Sequence, residues 1–178
     1  MITIYATFDT RLVMGKELFA PSGVLEKNRW KFSVRTQGHA LIASEDTFIE
    51  FLDGKPLPDH PLFVVSERLF TQYQKPGDRY VERDGITIIS EYRQALSLAS
   101  EGRRHVTILG GHSLIEMAVR TQQSVHRLCL VRVSTKTQGS IYFPYPVIDF
   151  FDLVDEELLE QDARNPFPAV FQVYWRKH

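Results

Sequence analysis

The chain is dominated by short apolar runs that are rich in β-branched and aromatic residues and are separated by segments of helical composition. Several of these runs are continuously apolar instead of alternating, which is typical of strands covered on both faces in a mostly parallel sheet. The strand candidates are ITIYAT (2–7), HALIA (39–43), LFVVS (62–66), ITII (86–89), HVTIL (105–109), RLCLVRV (127–133), VIDFFDLV (147–154) and AVFQVYW (169–175). Helices must cover the faces of such a sheet, so these runs predict an α/β fold.

Helical segments fall between the strand candidates. They are residues 24–34, 46–53, 90–101 and 113–121, the last three opening at the N-cap candidates Asp46, Ser90 and Ser113. The order β-α-β-α-β-β-α-β-α-β-β-β predicts one domain over residues 1–178. We expect a mostly parallel central sheet of about eight strands, with an antiparallel C-terminal edge and four flanking helices.

Composition and charge exclude several classes of function. The 178 residues carry 21 basic and 22 acidic side chains, and the resulting net charge of −1 offers no electrostatic footprint for nucleic acid or for an anionic membrane surface. No apolar run is long enough to span a membrane. The N-terminus lacks a basic leader with an apolar stretch and a cleavage site, so a cytoplasmic location is expected. The sequence leaves the oligomeric state open.

Patterns for metal sites and for nucleophilic hydrolysis are absent from the sequence. The six histidines show no metal-ligand spacing, so no metal site is expected. There is no G-x-S-x-G elbow of the kind that positions a serine nucleophile. The single cysteine, Cys129, excludes an internal disulfide.

The strongest local motif is VTILGGHSLIE (106–116), in which a buried strand runs through Gly110 and Gly111 into a helix. Glycine at such a turn lets a ligand approach the backbone closely, and the N-terminus of the helix favours phosphate. His112 would then lie beside the phosphates, or it would be an exposed neighbour of the helix N-cap. The motif permits a dinucleotide pyrophosphate, although a Gly-Gly turn taken alone more commonly serves chain reversal.

Five segments, taken in order, resemble the dihydrofolate reductase family. They are similar to its first strand and mobile loop, its first helix and second strand, its Gly-basic-Pro-Leu-Pro loop, its strand and glycine pair under the nicotinamide, and its Gly-x-x-x-Phe-Pro segment. The matching segments are MITIYATFDTRLVMG (1–15), NRWKFSVRTQGHALIAS (28–44), GKPLPDH (54–60), VTILGG (106–111) and QGSIYFP (138–144). The resemblance implies that family's fold and hydride transfer from NADPH or NADH to a pterin-like small molecule.

The resemblance also implies a set of site residues. Those that match the family's cofactor contacts are Met14, Gly15, Ser44, Thr47, Ser66, Arg68, Gly110, Gly111 and His112. Those that match the substrate cleft are Tyr5, Thr7, Phe32, Phe51, Leu57, His60 and Leu109, with Ile115 facing the same pocket. Ordinary core packing is the alternative interpretation of the apolar members. Tyr5 is bulkier than the family's usual aliphatic residue and would narrow the pterin end of the cleft.

Asn28 stands where the resemblance places the family's catalytic carboxylate. Asparagine donates and accepts hydrogen bonds but holds no negative charge, so it cannot favour a protonated pterin. A shift of the helix start could instead bring Glu26 near the site as a catalytic carboxylate. The interpretation we favour is that Glu26 is a solvated first-turn residue that complements the helix dipole.

Other charged positions of the family have changed as well. His60 replaces the arginine that grips the folate glutamate, and histidine is shorter and only partly charged near neutral pH. Glu45 replaces another arginine, and a carboxylate there would repel the 2′-phosphate of NADPH while suiting the 2′-hydroxyl of NADH. Glu67 adds a second acid to this rim, which Arg68 partly compensates. Ser22 replaces the usual tryptophan of the mobile loop.

These observations predict an NAD(P)H-dependent reductase that resembles dihydrofolate reductase and transfers hydride to a dihydrofolate-like pterin, with weakened or altered specificity. One alternative is a catalytically inactive protein that keeps the fold and binds a ligand or partner. A second alternative is the pyrimidine reductase of riboflavin biosynthesis, which shares the glycine pair. QGSIYFP and GKPLPDH resemble the folate enzyme more closely.

Overall fold

A computed structural model describes residues 1–102, 105–122 and 125–178 of the chain. The strands in these ranges are β1 (Ile2–Phe8), β2 (Ala40–Ser44), β3 (Leu62–Val65), β4 (Val81–Arg83), β5 (Ile86–Ile89), β6 (Val106–Leu109), β7 (Val125–Val133), β8 (Phe151–Leu159) and β9 (Ala169–Arg176). The nine strands form one sheet in the order β4-β5-β3-β2-β6-β1-β7-β9-β8.

The centre of the sheet is parallel. β1 pairs with β6 and β7, β2 pairs with β6 and β3, and β3 pairs with β5, all in parallel. β9 pairs antiparallel with both β7 and β8, which confirms the predicted antiparallel C-terminal edge. Every residue of β1 and of β6 is buried, so the continuous apolar runs do mark strands covered on both faces.

Four α-helices and three shorter helical turns accompany the sheet in the described ranges. The helices are α1 (Glu26–Thr36), α2 (Glu67–Tyr73), α3 (Tyr92–Ser100) and α4 (His112–Gln122), and the turns are Lys16–Leu18, Thr47–Phe51 and Tyr145–Phe150. The helix predicted at 46–53 is thus a single wide turn. No helix in these ranges combines the length and the apolar character needed to cross a membrane.

The sequence patterns miss β4 and α2 and misplace the start of β8. β4 has three residues and α2 has seven, which is too short for a periodic pattern to stand out. Ser66 nevertheless caps α2, because its hydroxyl oxygen accepts a hydrogen bond from the Leu69 N–H at 2.9 Å. The strand predicted from residue 147 begins only at Phe151, since Pro144 and Pro146 favour a helical turn before it.

The parallel register brings the carboxyl ends of β3, β2, β6 and β1 to the same edge of the sheet. Ala43 of β2 lies opposite Leu109 of β6, and Ser44 lies opposite Val65 of β3. The turns that follow these strands contain most of the predicted cofactor contacts. Ligand sites of open α/β sheets lie at this carboxyl edge.

β8 is the outermost strand of the antiparallel side and is solvated on both faces. All residues from 152 to 158 are exposed, and Asp155, Glu156 and Glu157 occupy the middle of the strand. Val154 and Leu158 leave 54% and 61% of their surface exposed. The outer edge of β8 thus presents a mixture of acidic and apolar side chains.

A buried polar cluster lies at the amino end of the parallel strands. His39 precedes β2, and its Nδ1 lies 2.7 Å from the Thr107 hydroxyl oxygen. Its ring stacks on that of His105, with centroids 5.0 Å apart. Burial is the largest cause that lowers the pKa of His39 from its usual 6.5 to about 4, and the neighbouring basic groups His105, Arg127 and His60 lower it further. His39 is therefore neutral in the folded protein at neutral pH.

His39 is expected to make the protein less stable in mild acid. Its pKa is about 4 when folded and 6.5 when unfolded, so the unfolded chain binds more protons between these values and stability falls as pH drops through this window. We expect a loss of about 2 kcal/mol between pH 7 and pH 5, measured by urea unfolding. His39→Gln keeps a hydrogen-bonding side chain and removes the titration, and an unchanged pH slope in this variant would contradict the assignment.

Candidate active site

Asn28 is buried against the central strand β1. Its helix, α1, begins at Glu26, and the first turn carries Asn28 to the face of β1 that bears Tyr5 and Thr7. The Tyr5 hydroxyl donates to Asn28 Oδ1 at 2.9 Å, and Asn28 Nδ2 donates to Thr7 Oγ1 at 2.9 Å. A longer bond of 3.4 Å joins Asn28 Nδ2 to the Leu18 carbonyl oxygen. The amide therefore has partners within the chain for its oxygen and for both hydrogens.

Aromatic side chains pack together in the predicted cleft. The rings of Tyr5 and Phe32 meet edge to face with centroids 5.2 Å apart, and burial raises the pKa of the Tyr5 phenol. The rings of Phe51 and Phe19 pack with centroids 5.1 Å apart. The predicted cleft residues that are buried are Tyr5, Thr7, Phe32, Phe51 and Leu109. Tyr5 thus packs against Phe32, while Phe32 and Phe51 also line the two cavities described next.

Two open cavities lie on either side of Leu57. The first, the α1 cavity, has a volume of about 560 Å³ and lies between α1 and the loop that follows Leu57. The second, the loop cavity, has a volume of about 690 Å³ and lies between residues 16–24 and 51–57. The α1 cavity is lined by Pro21, Arg29, Phe32, Ser33, Val34, Gln37, Gly38, Leu57, Pro58, Asp59 and His60.

Arg29 is the arginine of the α1 cavity, and the sequence patterns miss it. Its guanidinium donates to the Gly23 carbonyl oxygen and forms no salt bridge with any residue that the structure describes. His60 also lines this cavity, and its Nδ1 lies 3.1 Å from the His39 carbonyl oxygen. Arg29 is therefore the group in this cavity best suited to bind an anion. Its place directly after Asn28 on α1 is the signal that points to it.

Glu26 lies at the surface and not beside Asn28. Its carboxylate accepts a hydrogen bond from Arg164 at 3.2 Å, and 45% of its side chain is exposed. As the first residue of α1, it has the position that complements the helix dipole. The structure therefore does not bring Glu26 together with the residues of the cleft.

The glycine pair lies where β6 ends and α4 begins. The Gly111 N–H donates to the Ser44 hydroxyl oxygen at 3.0 Å, which joins this turn to the end of β2. A Cβ at Gly110 would lie 2.8 Å from Ile115 Cγ1, and a Cβ at Gly111 would lie 2.6 Å from Asp46 Oδ2. A side chain at either position would force these neighbouring side chains to shift. Ile115 is thus packed against Gly110.

A carboxylate of the chain itself occupies the space next to Gly111. Asp46 Oδ1 accepts hydrogen bonds from the Ser44 hydroxyl and, at 2.9 Å, from the Thr47 N–H. Thr47 is fully buried, and its hydroxyl oxygen lies 3.0 Å from that of Ser44. Asp46 is the N-cap that the sequence predicts. Its contact with Gly111 depends on the pairing of β2 with β6, so no local pattern reveals it.

Glu45 joins Ser66 and Arg68 in one network. The Ser66 hydroxyl donates to one carboxylate oxygen, and Arg68 donates to the other through Nε at 2.6 Å and Nη2 at 2.5 Å. Burial alone would raise the pKa of Glu45, but the hydrogen bonds from Ser66 and Arg68 hold that pKa below its usual value. Glu67 is exposed. Ser66 and Arg68, both predicted as cofactor contacts, are thus bound to the Glu45 carboxylate of the chain itself.

The remaining predicted cofactor contacts are placed differently. Met14 is buried, and a Cβ at Gly15 would overlap the Thr137 side chain, so this loop is closely packed. His112 has 49% of its side chain exposed, and its Nδ1 lies 3.2 Å from the Tyr142 carbonyl oxygen. His112 therefore has the character of an exposed residue at the start of α4.

Comparison with known proteins decides the family. The family model described as dihydrofolate reductase matches residues 1–176, which is nearly the whole chain. The chain belongs to the dihydrofolate reductase family. The resemblance carried by the five segments is confirmed.

Dihydrofolate reductases of three bacteria are similar to the chain along most of its length. The enzyme of Bacillus subtilis is 25% identical over 178 residues, which are 100% of this chain and 96% of the relative. The enzymes of Haemophilus influenzae and Staphylococcus haemolyticus are each 22% identical, over 93% and 98% of this chain and 92% and 95% of their own.

A solved structure gives the same fold. It is the dihydrofolate reductase from Enterococcus faecalis complexed with NADP(H) and RAB-propyl, and it matches this chain with a TM-score of 0.79 at 19% identity. The match covers 100% of this chain and 97% of that one. The dihydrofolate reductase fold predicted from the segments is therefore confirmed.

Proposed function

We propose that this member of the dihydrofolate reductase family is a nicotinamide-dependent reductase that passes hydride to a pterin-like molecule, with altered specificity. The observation that best supports this proposal is the hydrogen bonding that joins the Gly110–Gly111 turn to Ser44, and Ser44 to Thr47. These groups lie at the carboxyl edge of the parallel strands. The Enterococcus faecalis relative is complexed with NADP(H), which supports a nicotinamide nucleotide as the ligand of this family's cleft. When bound, that group supplies the hydride, and the chain supplies orientation and a cleft that excludes water.

The chain's own residues favour NADH over NADPH. Glu45 stands where the resemblance places an arginine, and its carboxylate already binds Ser66 and Arg68. A carboxylate repels a 2′-phosphate but accepts hydrogen bonds from a ribose hydroxyl. Because Arg68 is neutralised by Glu45, it offers no uncompensated charge to a phosphate.

NADH is expected to bind about tenfold more tightly than NADPH, a difference of about 1.4 kcal/mol. Glu45→Gln removes the repelling charge and is expected to reduce this preference about fivefold, whereas Glu67→Gln, at an exposed neighbouring acid, should leave it unchanged. Calorimetric titration of both nucleotides measures the preference, and dihydrofolate-dependent nucleotide oxidation then measures turnover. Equal affinities would contradict the role of Glu45. Failure of both nucleotides to bind at millimolar concentration would contradict the reductase.

A second candidate is a protein that keeps the fold and binds a ligand without turnover. The buried network of Tyr5, Asn28 and Thr7 favours it, because the position of the family's carboxylate holds neither charge nor open space. The same assay separates the two candidates. Nucleotide binding without any dihydrofolate-dependent oxidation supports the second candidate and contradicts the first.

A further inference from the structure

We propose that the carboxylate of Asp46 blocks the pyrophosphate position of the cleft, so that any dinucleotide must displace it to bind. This inference rests on the proposed function. The glycine pair gives a phosphate close approach to the backbone at the start of α4. The Asp46 carboxylate already occupies the space beside the Gly111 backbone, because its Oδ2 lies 2.6 Å from the position that a Cβ on Gly111 would have. As arranged, the turn does not fit a pyrophosphate.

The hydrogen-bond donors around the turn are also engaged within the chain. The Gly111 N–H donates to the Ser44 hydroxyl oxygen at 3.0 Å, and the Ser44 hydroxyl donates to Asp46 Oδ1. The Thr47 N–H donates to the same carboxylate oxygen at 2.9 Å. A phosphate against Gly111 would meet a like charge at contact distance and would find these donors already satisfied.

No basic side chain in the described ranges is paired with Asp46. Arg68 pairs with Glu45, and His112 Nε2 lies 3.4 Å from a carboxylate oxygen of Glu116. Within the described ranges, Asp46 forms no salt bridge and is held by hydrogen bonds from Ser44 and Thr47 alone. Rotation of the Asp46 side chain would therefore free the Ser44 hydroxyl and the Thr47 N–H to donate to an incoming phosphate. Dinucleotide affinity is set by this competition.

Asp46 and Glu45 act on different parts of a dinucleotide. Glu45 distinguishes NADH from NADPH, because the two differ only in the 2′-phosphate. Asp46 acts on the pyrophosphate, which both nucleotides share. The two adjacent acids therefore have separable effects, one on the ratio of the two affinities and the other on both affinities alike.

Calorimetric titration with ADP-ribose, NADH and adenosine tests the proposal. Asp46→Asn keeps an oxygen for the cap and removes the charge, so ADP-ribose and NADH are expected to bind about tenfold more tightly. Adenosine has no phosphate, and its binding should not change. Asp46→Ser also keeps a capping hydroxyl on a shorter side chain and should give at least the same gain. Asp84→Asn makes the same charge change in the β4–β5 turn and is the matched control.

The outcomes separate this inference from the proposed function. ADP-ribose binding that is unchanged or absent in both Asp46 variants, with melting temperatures like that of the unaltered protein, overturns the inference. Equal gains for adenosine, or a gain in Asp84→Asn, also overturn it, because they indicate a general effect of charge. If Asp46→Ser folds and Asp46→Asn does not, ADP-ribose binding to Asp46→Ser alone decides whether the inference stands. Tighter NADH binding without dihydrofolate-dependent oxidation supports the inference and contradicts the reductase.

Discussion

The double variant Tyr5→Ile, Asn28→Asp is expected to turn over dihydrofolate about 100-fold faster than the unaltered protein at saturating nucleotide. The isoleucine removes the phenol that fills the buried space beside Phe32. The aspartate restores a carboxylate where the family's first helix carries one, and this charge eases protonation of the pterin ring. Both changes are needed, because each alone leaves the site either filled or uncharged.

Single variants separate the contributions of space and charge. Asn28→Asp alone keeps the Tyr5 ring in place and buries a charge near the Leu18 carbonyl oxygen, so little gain and some loss of stability are expected. Tyr5→Phe combined with Asn28→Asp retains the ring and is the matched control for space. Steady-state kinetics gives kcat/KM for each variant. Equal turnover by the Ile and Phe double variants would contradict the role of Tyr5 as an obstruction.

Gly23→Ala is expected to lower the free energy of unfolding by about 3 kcal/mol, at the upper end of the costs of overpacking. A Cβ at Gly23 would lie 2.5 Å from the Glu17 carbonyl oxygen and 2.8 Å from the Phe19 carbonyl oxygen. Both are backbone atoms, and the Gly23 N–H already bonds Phe19 at 2.6 Å, so relief requires the whole loop to move. Such movement would also release Arg29 from the Gly23 carbonyl oxygen.

Urea unfolding followed by circular dichroism measures the cost of Gly23→Ala. Gly139→Ala is the matched control, because a Cβ there would lie 3.2 Å from Val13 Cγ1, a side-chain atom that can shift. We expect this control to cost less than about 1 kcal/mol. A cost at Gly23 no larger than that at Gly139 would show that the loop accommodates the methyl group.

The long strands of this fold are visible in the sequence for a physical reason. β1, β7 and β9 lie inside the sheet and have 7, 9 and 8 residues. Because most of these residues are buried, each strand appears in the sequence as a long apolar run. The predicted runs 2–7, 127–133 and 169–175 end within two residues of these strands. β4 and α2 bury little and are short, so their sequences carry no comparable pattern.

The site was predictable only where it depends on local geometry. The two-residue period of a strand places Tyr5 and Thr7 on one face of β1, and the family resemblance implies the cleft that this face would line. The contact of Gly111 with the β2 turn joins residues 67 positions apart, and only the strand register creates it. The sequence favours a surface position for Glu26, whereas the assignment of Arg29 to the α1 cavity requires the packing of α1 against the loop that follows Leu57.

The acidic middle of β8 has a consequence for self-association. Two copies that met edge to edge along β8, antiparallel and centred on Asp155, would set this carboxylate against its own copy. In the same register, Glu156 and Glu157 would lie opposite the apolar Val154 and Leu153. Like charges at the centre of such a pair oppose its formation. Acid or high salt weakens that repulsion, so resistance to aggregation here depends on keeping these side chains ionised and unscreened.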